Sequence, residues 1–440
     1  MQKDLTHGSA INNILKLAIP IIGSSFMQFA YNFTDMLWVG KLGSNAVAAV
    51  GSSGFFLHLG WAFASIILVG SNISVAQAIG RKENKQAQHI AINALLGVML
   101  LTTIYMVLIQ LGYRHLIGFF GLNNESTEMA HGYLRWASLG MYFIFTTRLF
   151  TGASNARGDS KKPLKITMAG VIINIILDPI FIFVMDWGVL GAAWATLIAQ
   201  FIVTTIFWLQ RSQSFLGLKS AWIISVHQIK QLARLGLPPS MQYMIFSVVA
   251  IIMAKIVAGF GSDAIAAQKI GLQIEAMTFM TIGGLNGAIM SFTGQNFGAG
   301  LYKRVTEGYN AGIVLAIVFG LFMTIIFMTF AEPMVRWFVD EAATVEIGAA
   351  YLRIVGMSQV FMCIEMIGSG LINGIGKTRY PASINMVMTL VRIPLAIWLS
   401  QPHRYGVNGI WYAILISTTF RGVLITSAYY YLRSSFLRKA

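Results

Sequence analysis

The sequence has little charge and almost no cysteine. Only 11% of its 440 residues are Asp, Glu, Lys or Arg, whereas soluble domains carry roughly 25%. Hydrophobic residues make up 56% and the mean hydropathy is +0.68, which favours a polytopic membrane protein. The single cysteine, Cys363, excludes an intramolecular disulfide and a cysteine-based metal site.

Acidic residues are scarcer than basic ones, with 16 Asp and Glu against 31 Lys and Arg. In a soluble protein this excess would suggest nucleic acid as a partner. Here the basic residues lie in short loops between apolar segments, so we expect a lipid bilayer as the partner and no nucleic acid.

Twelve apolar segments are each long enough, at about 20 residues, to cross a bilayer as a helix. They cover residues 14–39, 47–73, 90–112, 133–151, 166–184, 190–209, 237–259, 264–291, 309–330, 354–372, 384–399 and 407–431. We therefore predict an all-α polytopic membrane protein with twelve transmembrane helices. The basic residues of alternate loops place both termini in the cytosol, as expected for a multi-pass protein of the cytoplasmic (inner or plasma) membrane.

The second half of the chain repeats the first at one constant offset, which is the separation of Pro20 and Pro238. This repeat offset also pairs Gly191 with Gly409, and it persists without a gap over most of both halves. The repeat indicates two pseudo-symmetric six-helix bundles of the same orientation. Parallel repeats of this kind are related by an axis along the membrane normal, with a substrate path between them.

The bundles are predicted to cover residues 1–210 and 237–440, joined by a cytosolic linker over 211–236. In the linker, Trp222 lies close to Lys219 in a mixed apolar and basic pattern. This pattern fits an amphipathic helix at the membrane interface, and it fits a plain connector equally well.

The repeat fails at the ionisable groups inside the spans. The unmatched pairs are Asp35 with Met253, Asn174 with Arg392, Asp178 with Ala396, Glu275 with Leu57 and Glu365 with Thr147. Packing alone would duplicate these groups along with the scaffold, so their asymmetry favours a function.

A candidate ion site lies in the outer half of the first bundle. Asn174 and Asp178 are four residues apart and therefore share one helix face. Asp178 lies about 22 Å along its helix from Pro163, Asp35 lies at a similar depth, and Thr196 enters from the outer side. Two carboxylates there cannot comfortably both ionise, so we expect the pair to hold a proton or a Na⁺ ion. The alternative is a purely structural hydrogen-bonded pair.

Glu275 and Glu365 are the buried acids of the second half, where either can pair with a cationic drug or with an internal basic residue.

Pro20 lies within the first span, where it acts as a hinge or as a static kink. The basic residues within spans, which pair with the acids or snorkel to the interface, are Arg148, Lys255, Arg392 and Arg421.

Enzyme function is poorly supported. The sequence has no cluster of His, Cys or paired acids near an interface, as an integral membrane enzyme would need. We therefore expect no enzymatic activity, and no cofactor besides the proton or Na⁺ ion of the candidate site. Residues 370–378 resemble a phosphate loop, but five residues instead of four separate the outer glycines and an apolar helix precedes them. ATP binding is therefore rejected.

Several motifs resemble the MATE (multidrug and toxic compound extrusion) transporters. They are Asn-Ile-Ile-Leu-Asp-Pro-Ile-Phe-Ile-Phe at 174–183, Gly-Val-Leu-Gly-Ala-Ala-Trp-Ala-Thr at 188–196, Ala-Arg-Gly-Asp-Ser-Lys-Lys-Pro at 156–163, Gln-Ile-Glu at 273–275 and Gly-Gln-Asn-Phe-Gly-Ala-Gly at 294–300. The resemblance extends over nearly the whole chain.

The resemblance implies a V-shaped pair of six-helix bundles that exports organic cations and other drugs in exchange for H⁺ or Na⁺ by alternating access. The family's first-half cation site carries over to Asp35, Asn174, Asp178 and Thr196, and its movable proline to Pro20. We expect a monomer.

One departure separates the chain from the NorM-like branch of the family. That branch has a carboxylate in helix seven, but residues 239–254 contain none, which points to the DinF-like branch.

The alternative function is a flippase of the same superfamily for a lipid-linked sugar or cell-wall precursor. Its pyrophosphate would need a cationic groove, for which Arg148, Arg392 and Arg421 are candidates.

Overall fold

A computed structural model describes residues 4–210 and 224–437, and within these ranges the regular structure is helical. The α-helices are α1 (Ala10–Gly40), α2 (Ser44–Gly80), α3 (Asn84–Gly118), α4 (Asn124–Ala156), α5 (Lys161–Pro179), α6 (Gly188–Leu209), α7 (Val226–Ala258), α8 (Ser262–Gly298), α9 (Tyr302–Thr329), α10 (Ala331–Arg336), α11 (Ala342–Gly356), α12 (Gln359–Gly374), α13 (Arg379–Leu399) and α14 (Asn408–Leu437). A π-helical segment, Ile180–Val184, continues α5. The all-α prediction is confirmed.

The structure repeats at the offset found in the sequence. The first and last residues of α8 are the repeat partners of those of α2, and α9 begins at the repeat partner of the first residue of α3. Turns between helices repeat as well, with backbone angles that glycine adopts without steric cost. The matched left-handed φ values are 103° and 100° at Gly43 and Gly261, 79° and 81° at Gly158 and Gly376, and 52° and 54° at Gly188 and Gly406. The internal repeat is therefore confirmed at the level of individual turns.

The two halves differ at two helices. Helix α4 is continuous, whereas its counterpart in the second half is divided into α11 and α12, which meet at a bend of 51°. Helix α5 passes into the π-helical segment directly after Pro179. Proline has no N–H to donate, which frees a carbonyl one turn earlier, and π-helical turns occur frequently at functional sites.

Nine of the described helices are long and apolar enough to cross a membrane, or ten if the bent pair α11 and α12 is one span. Helices α4 and α8, with 33 and 37 residues, are long enough to cross but carry more polar side chains. Each of the twelve predicted segments overlaps one of these eleven helices or the bent pair.

The described chain divides into two compact units. The first consists of Ile19–Ser240 together with Asp4, and the second of Met241–Ala440 together with Leu5–Ala18. Helices α1 and α7 therefore each contribute residues to both units. Helix α1 changes unit between Ala18 and Ile19, one residue before Pro20, and α7 changes directly after Ser240, one residue beyond Pro239.

Part of the predicted linker lies outside the described residues. This applies to residues 211–223, which include Trp222 and Lys219, whereas residues 226–236 form the first turns of α7. The bundle boundaries at residues 210 and 237 stay a prediction.

Each unit has its own buried core. In the first unit the core gathers side chains of α2, α3 and α4, among them Ile67, Leu95 and Leu149. In the second unit Trp411 and Tyr351 are among the largest fully buried side chains. Because lipid tails are as apolar as leucine, close van der Waals packing is a main source of stability between such helices.

A close backbone crossing requires glycine at Gly191 and at its repeat partner Gly409. A Cβ atom added to Gly191 would overlap the backbone of Phe181, and one added to Gly409 would overlap the backbone of Leu399. We expect Gly191→Ala and Gly409→Ala each to lower stability by about 1–3 kcal/mol, the usual cost of overpacking.

The thermal unfolding midpoint of the purified protein in detergent checks this expectation. Gly54→Ala is the control, because a Cβ atom at that position in α2 meets nothing within 4 Å and alanine favours helix. If the midpoints of all three variants equalled that of the wild type, the close crossing would be contradicted.

Candidate functional site

Four of the predicted site residues lie on three helices of the first unit, and two hydrogen bonds involve three of them. The Asn174 side chain on α5 donates to Oδ1 of Asp178 at 3.1 Å, one turn further along the same helix face. On α1, the Tyr31 hydroxyl donates to Oγ1 of Thr196 on α6 at 3.0 Å. Asp35 follows Tyr31 by four residues and therefore lies on the same face of α1.

The two predicted carboxylates lie within electrostatic range of each other. Asp35 and Asp178 are near enough for their charges to interact. Asn174 and Asp178 have no solvent-exposed surface. A carboxylate in the interior of a membrane protein is costly unless it is paired, hydrogen-bonded or neutralised.

Three oxygen atoms at this site are buried without a hydrogen-bond partner among the described residues. They are Oδ1 of Asp35, Oδ1 of Asn174 and Oδ2 of Asp178. All three are acceptors, and an unsatisfied buried acceptor costs about 1–3 kcal/mol. The site therefore has an excess of acceptors that a proton or a metal cation would satisfy.

Two tyrosines complete the site, and the sequence analysis missed both. The hydroxyl of Tyr31 lies within electrostatic reach of Asp35 and Asp178, and that of Tyr133 on α4 does so as well. Tyrosine is common in membrane proteins, so residue type alone does not identify them. For Tyr31 a usable signal was its position four residues before Asp35 on the same helix face.

The buried acids of the second unit have donors. Glu275 on α8 accepts from the Tyr351 hydroxyl at 2.5 Å on one oxygen, and from the Gln359 side chain at 3.0 Å on the other. Oε1 of Glu365 on α12 accepts from Ser369 at 2.9 Å and from Asn385 at 2.7 Å.

Arginine replaces the amide of the first site in the second unit. Arg392, the repeat partner of Asn174, is buried, and its Nε donates to Oγ of Ser417 at 3.0 Å. It is near enough to Glu275 for their charges to interact. The second unit therefore does not duplicate the pair of aspartates, whose repeat partners are Met253 and Ala396. Lys255 lies in the last turn of α7.

Pro20 lies inside α1, which is continuous from Ala10 to Gly40. Its carbonyl accepts a hydrogen bond from the Ser24 hydroxyl at 3.0 Å. The α1 helix thus accommodates the proline without a break, and the hinge function stays a prediction.

The long apolar helices and the buried acidic pair define a polytopic membrane protein with a polar site in its first unit. A family model described as MatE matches residues 20–180 and again residues 238–398, which together are more than half of the chain. The two matches are displaced by the offset of the internal repeat. The chain belongs to the MatE family of membrane transporters, and it is not an enzyme.

Curated relatives span nearly the whole chain. A probable multidrug resistance protein NorM of Thermotoga maritima is 26% identical over 421 residues, which are 93% of this chain and 90% of the relative. An FAD transporter of Shewanella oneidensis is 23% identical over 430 residues, which are 95% of this chain and 93% of the relative.

A solved structure shares the fold. It is described as the outward-facing conformation of a multidrug resistance MATE family transporter of the MOP superfamily. It is 25% identical, has a TM-score of 0.91, and the match covers 98% of both chains.

The hydrogen bond between Tyr31 and Thr196 should be measurable as a coupling energy. Tyr31→Phe and Thr196→Val each remove one partner of the bond. We expect the double variant to lose less stability than the sum of the single variants, with a coupling on the order of 1 kcal/mol.

The free energies of unfolding of the wild type, the two single variants and the double variant, measured in detergent, give this coupling energy. The matched control combines Tyr133→Phe with Thr196→Val, and we expect additive effects because no hydrogen bond joins these side chains in the described structure. Additivity in the Tyr31 cycle as well would contradict the geometry.

Proposed function

We propose that the protein is a secondary antiporter that exports small-molecule drugs, organic cations among them, across the cytoplasmic membrane in exchange for H⁺ or Na⁺. The observation that supports this proposal is the acceptor excess at Asp35, Asn174 and Asp178, where three buried oxygens have no donor in the described structure. The multidrug resistance protein among the relatives supports the drug cargo.

Either coupling ion satisfies these oxygens. A proton on one carboxylate converts an acceptor oxygen into an O–H donor for a neighbouring oxygen. A Na⁺ ion would use the carboxylate and amide oxygens as ligands, as hard cations do. In both cases the bound charge also relieves the repulsion between Asp35 and Asp178.

Transport follows from differential binding. If ion binding stabilises one conformation and drug binding stabilises the other, the ion gradient drives drug export by alternating access. Thr196 has a place in this scheme because Tyr31 connects it to the helix that carries Asp35. Pro20 is the proposed hinge of that helix.

Twelve spans are the arrangement that the repeat supports best. The ten candidate spans include α2 and the bent pair α11 and α12. By the repeat offset, α8 is the partner of α2, and α4 is the partner of the bent pair. Counting α4 and α8 as spans gives two bundles of six, at residues 1–210 and 237–440, with both termini in the cytosol. We propose that the protein works as a monomer.

Organic cations have a candidate partner in the second unit. Glu275 receives a hydrogen bond on each oxygen, whereas both donors of Glu365 converge on one oxygen. Glu365 is therefore the better partner for a cationic drug.

Helix α7 contains no acidic residue, which supports assignment to the DinF-like branch.

A flippase for a lipid-linked sugar or cell-wall precursor is the second candidate. It is favoured by the arginines within the long helices, which are Arg148 in α4, Arg392 in α13 and Arg421 in α14. Arg392 and Arg421 are buried. A strain that lacks the protein would then show envelope defects with normal drug tolerance, whereas the antiporter predicts the reverse.

Replacement of either Asp35 or Asp178 by asparagine should strongly reduce ion-coupled transport. We expect Asp35→Asn and Asp178→Asn to reduce gradient-driven efflux at least about tenfold, because each removes the charge that attracts the ion. Efflux from vesicles under a pH gradient and under a Na⁺ gradient, imposed separately, measures the effect and identifies the ion.

Asp186→Asn is the matched control. Asp186 is exposed and has a positive φ of 55°, which asparagine tolerates, so this variant should transport like the wild type. Unchanged efflux in both Asp35→Asn and Asp178→Asn would reject the ion-site assignment.

A further inference from the structure

The short segment that precedes α1, residues 5–8, is buried although it forms no helix. We call this segment the strap, and it belongs to the second unit. Leu5 is only 2% exposed and Thr6 only 9%. Segments near a chain terminus are usually poorly ordered unless other parts of the protein tie them down. The burial of the strap therefore requires specific contacts.

Three side chains of the second unit bind the backbone of the strap. The Leu5 N–H donates to Oε1 of Gln295 at 3.1 Å, and the Leu5 carbonyl accepts from the Asn296 amide at 3.2 Å. Arg304 donates to the same carbonyl through Nη2 at 3.2 Å, and to the Gly8 carbonyl through Nη1 at 2.8 Å. We call Gln295, Asn296 and Arg304 the clamp. They satisfy the backbone groups of Leu5, as a buried segment without secondary structure requires.

Arg304 connects the members of the clamp, and its own position is fixed. Its Nε donates to Oδ1 of Asn296 at 3.0 Å, so the guanidinium orients the amide that binds the strap. Its Cζ lies 5.6 Å from the ring centroid of Phe292, and its Nη1 lies 3.9 Å from Oε2 of Glu307. The rigid fork of a guanidinium carries five N–H groups. One arginine can therefore hold two carbonyls of the strap and the amide oxygen at the same time.

The clamp is not duplicated by the internal repeat. By the repeat offset the partner of Arg304 is Gln86, so the first half has no guanidinium at this position. The start of α7 lies in the first unit, where a different residue holds it, since the N–H of Ser225 donates to Oδ1 of Asn93 at 2.7 Å. Because the scaffold repeats and the clamp does not, the clamp is specific to the segment before α1.

Helix α1 is packed tightly at the end next to the strap and loosely beyond it. Ile14, Leu17 and Ala18 share one helix face and are at most 2% exposed. By contrast, no residue of 21–38 is fully buried, and this part of the helix carries Asp35. Segments with few buried contacts are the ones that move in conformational changes. The strap therefore adjoins the fixed end of α1.

We propose that the clamp is a binding site for the N-terminal segment of the chain, and that the docked strap anchors α1 to the second unit. Helix α1 contributes residues to both units. A fixed first end allows a displacement of the loosely packed part to act on the second unit, instead of being lost as free motion of the helix. The role in export rests on the proposed antiport, whereas the docking of the strap does not. Gln295, Asn296 and Arg304 act through α1 and are positioning residues.

Hydrogen exchange of the purified full chain in detergent, measured by mass spectrometry, tests the docking. We expect Arg304→Gln to speed exchange of the backbone N–H groups of residues 4–9 at least about tenfold, because hydrogen bonds to a charged donor change a local opening equilibrium by that order. Arg304→Lys should retain part of the protection, since lysine keeps the charge but not the fork.

Lys303→Gln is the matched control for the exchange experiment. It removes the same charge one residue earlier, and Lys303 is exposed and makes no hydrogen bond to the strap in the described structure. Its strap should exchange like that of the wild type. Equal exchange in Arg304→Gln and Lys303→Gln would overturn the docking site, as would a wild-type strap that exchanges as fast as an unstructured peptide.

Transport decides whether the anchor takes part in export. A second variant, which lacks residues 2–8, removes the strap and leaves α8 and α9 intact. In vesicles, this deletion and Arg304→Gln should each lower gradient-driven efflux of the organic cation ethidium at least about fivefold per folded molecule, the lower end of ordinary coupling between sites. The equilibrium affinity for ethidium should not change, and Arg304→Lys should restore part of the efflux. A strap that only stabilised the fold would lower the unfolding midpoint and leave efflux per folded molecule unchanged, which would overturn the anchor.

The anchor and the proposed antiport fail by different results. Hydrogen exchange is measured without a gradient, so unchanged efflux in Asp35→Asn and Asp178→Asn would reject the ion site and leave the exchange result intact. Conversely, a strap that exchanges equally fast in the wild type and in Arg304→Gln would reject the anchor, while the assay of the two aspartates would still decide on ion coupling.

Discussion

A shortage of hydrogen-bond donors around two carboxylates inside the membrane is the constraint on which the rest of this structure depends. Asp35 and Asp178 interact through their charges, and with Asn174 they leave three buried oxygens without a donor in the described chain. Such an arrangement is unfavourable by itself and becomes favourable when a positive ion is bound. The proposed ion-coupling function rests on this excess of acceptors, and residues of α1, α5 and α6 supply the groups.

The internal repeat shows what belongs to the scaffold and what belongs to the site. Helix limits and left-handed glycine turns recur at the same offset in both halves. The charges do not recur, since Arg392 replaces Asn174 and Ala396 replaces Asp178. In the second unit both acids have donors, and Arg392 lies near enough to Glu275 for their charges to interact. The helix limits and turns are thus shared by the two halves, while their charged groups lie at different positions of the repeat.

Much of the scaffold was predictable from the sequence, because apolar segment length, loop charge and a fixed repeat offset depend on local composition. The pairing of Asn174 with Asp178 was predictable for the same reason, since helical spacing alone brings them together. Contacts across helices were not. The bond from Tyr31 to Thr196 and the one from Asn385 to Glu365 depend on how helices rotate against each other, which periodicity does not specify. The π-helical turn after Pro179 and the bend between α11 and α12 were missed because both are backbone departures inside apolar segments.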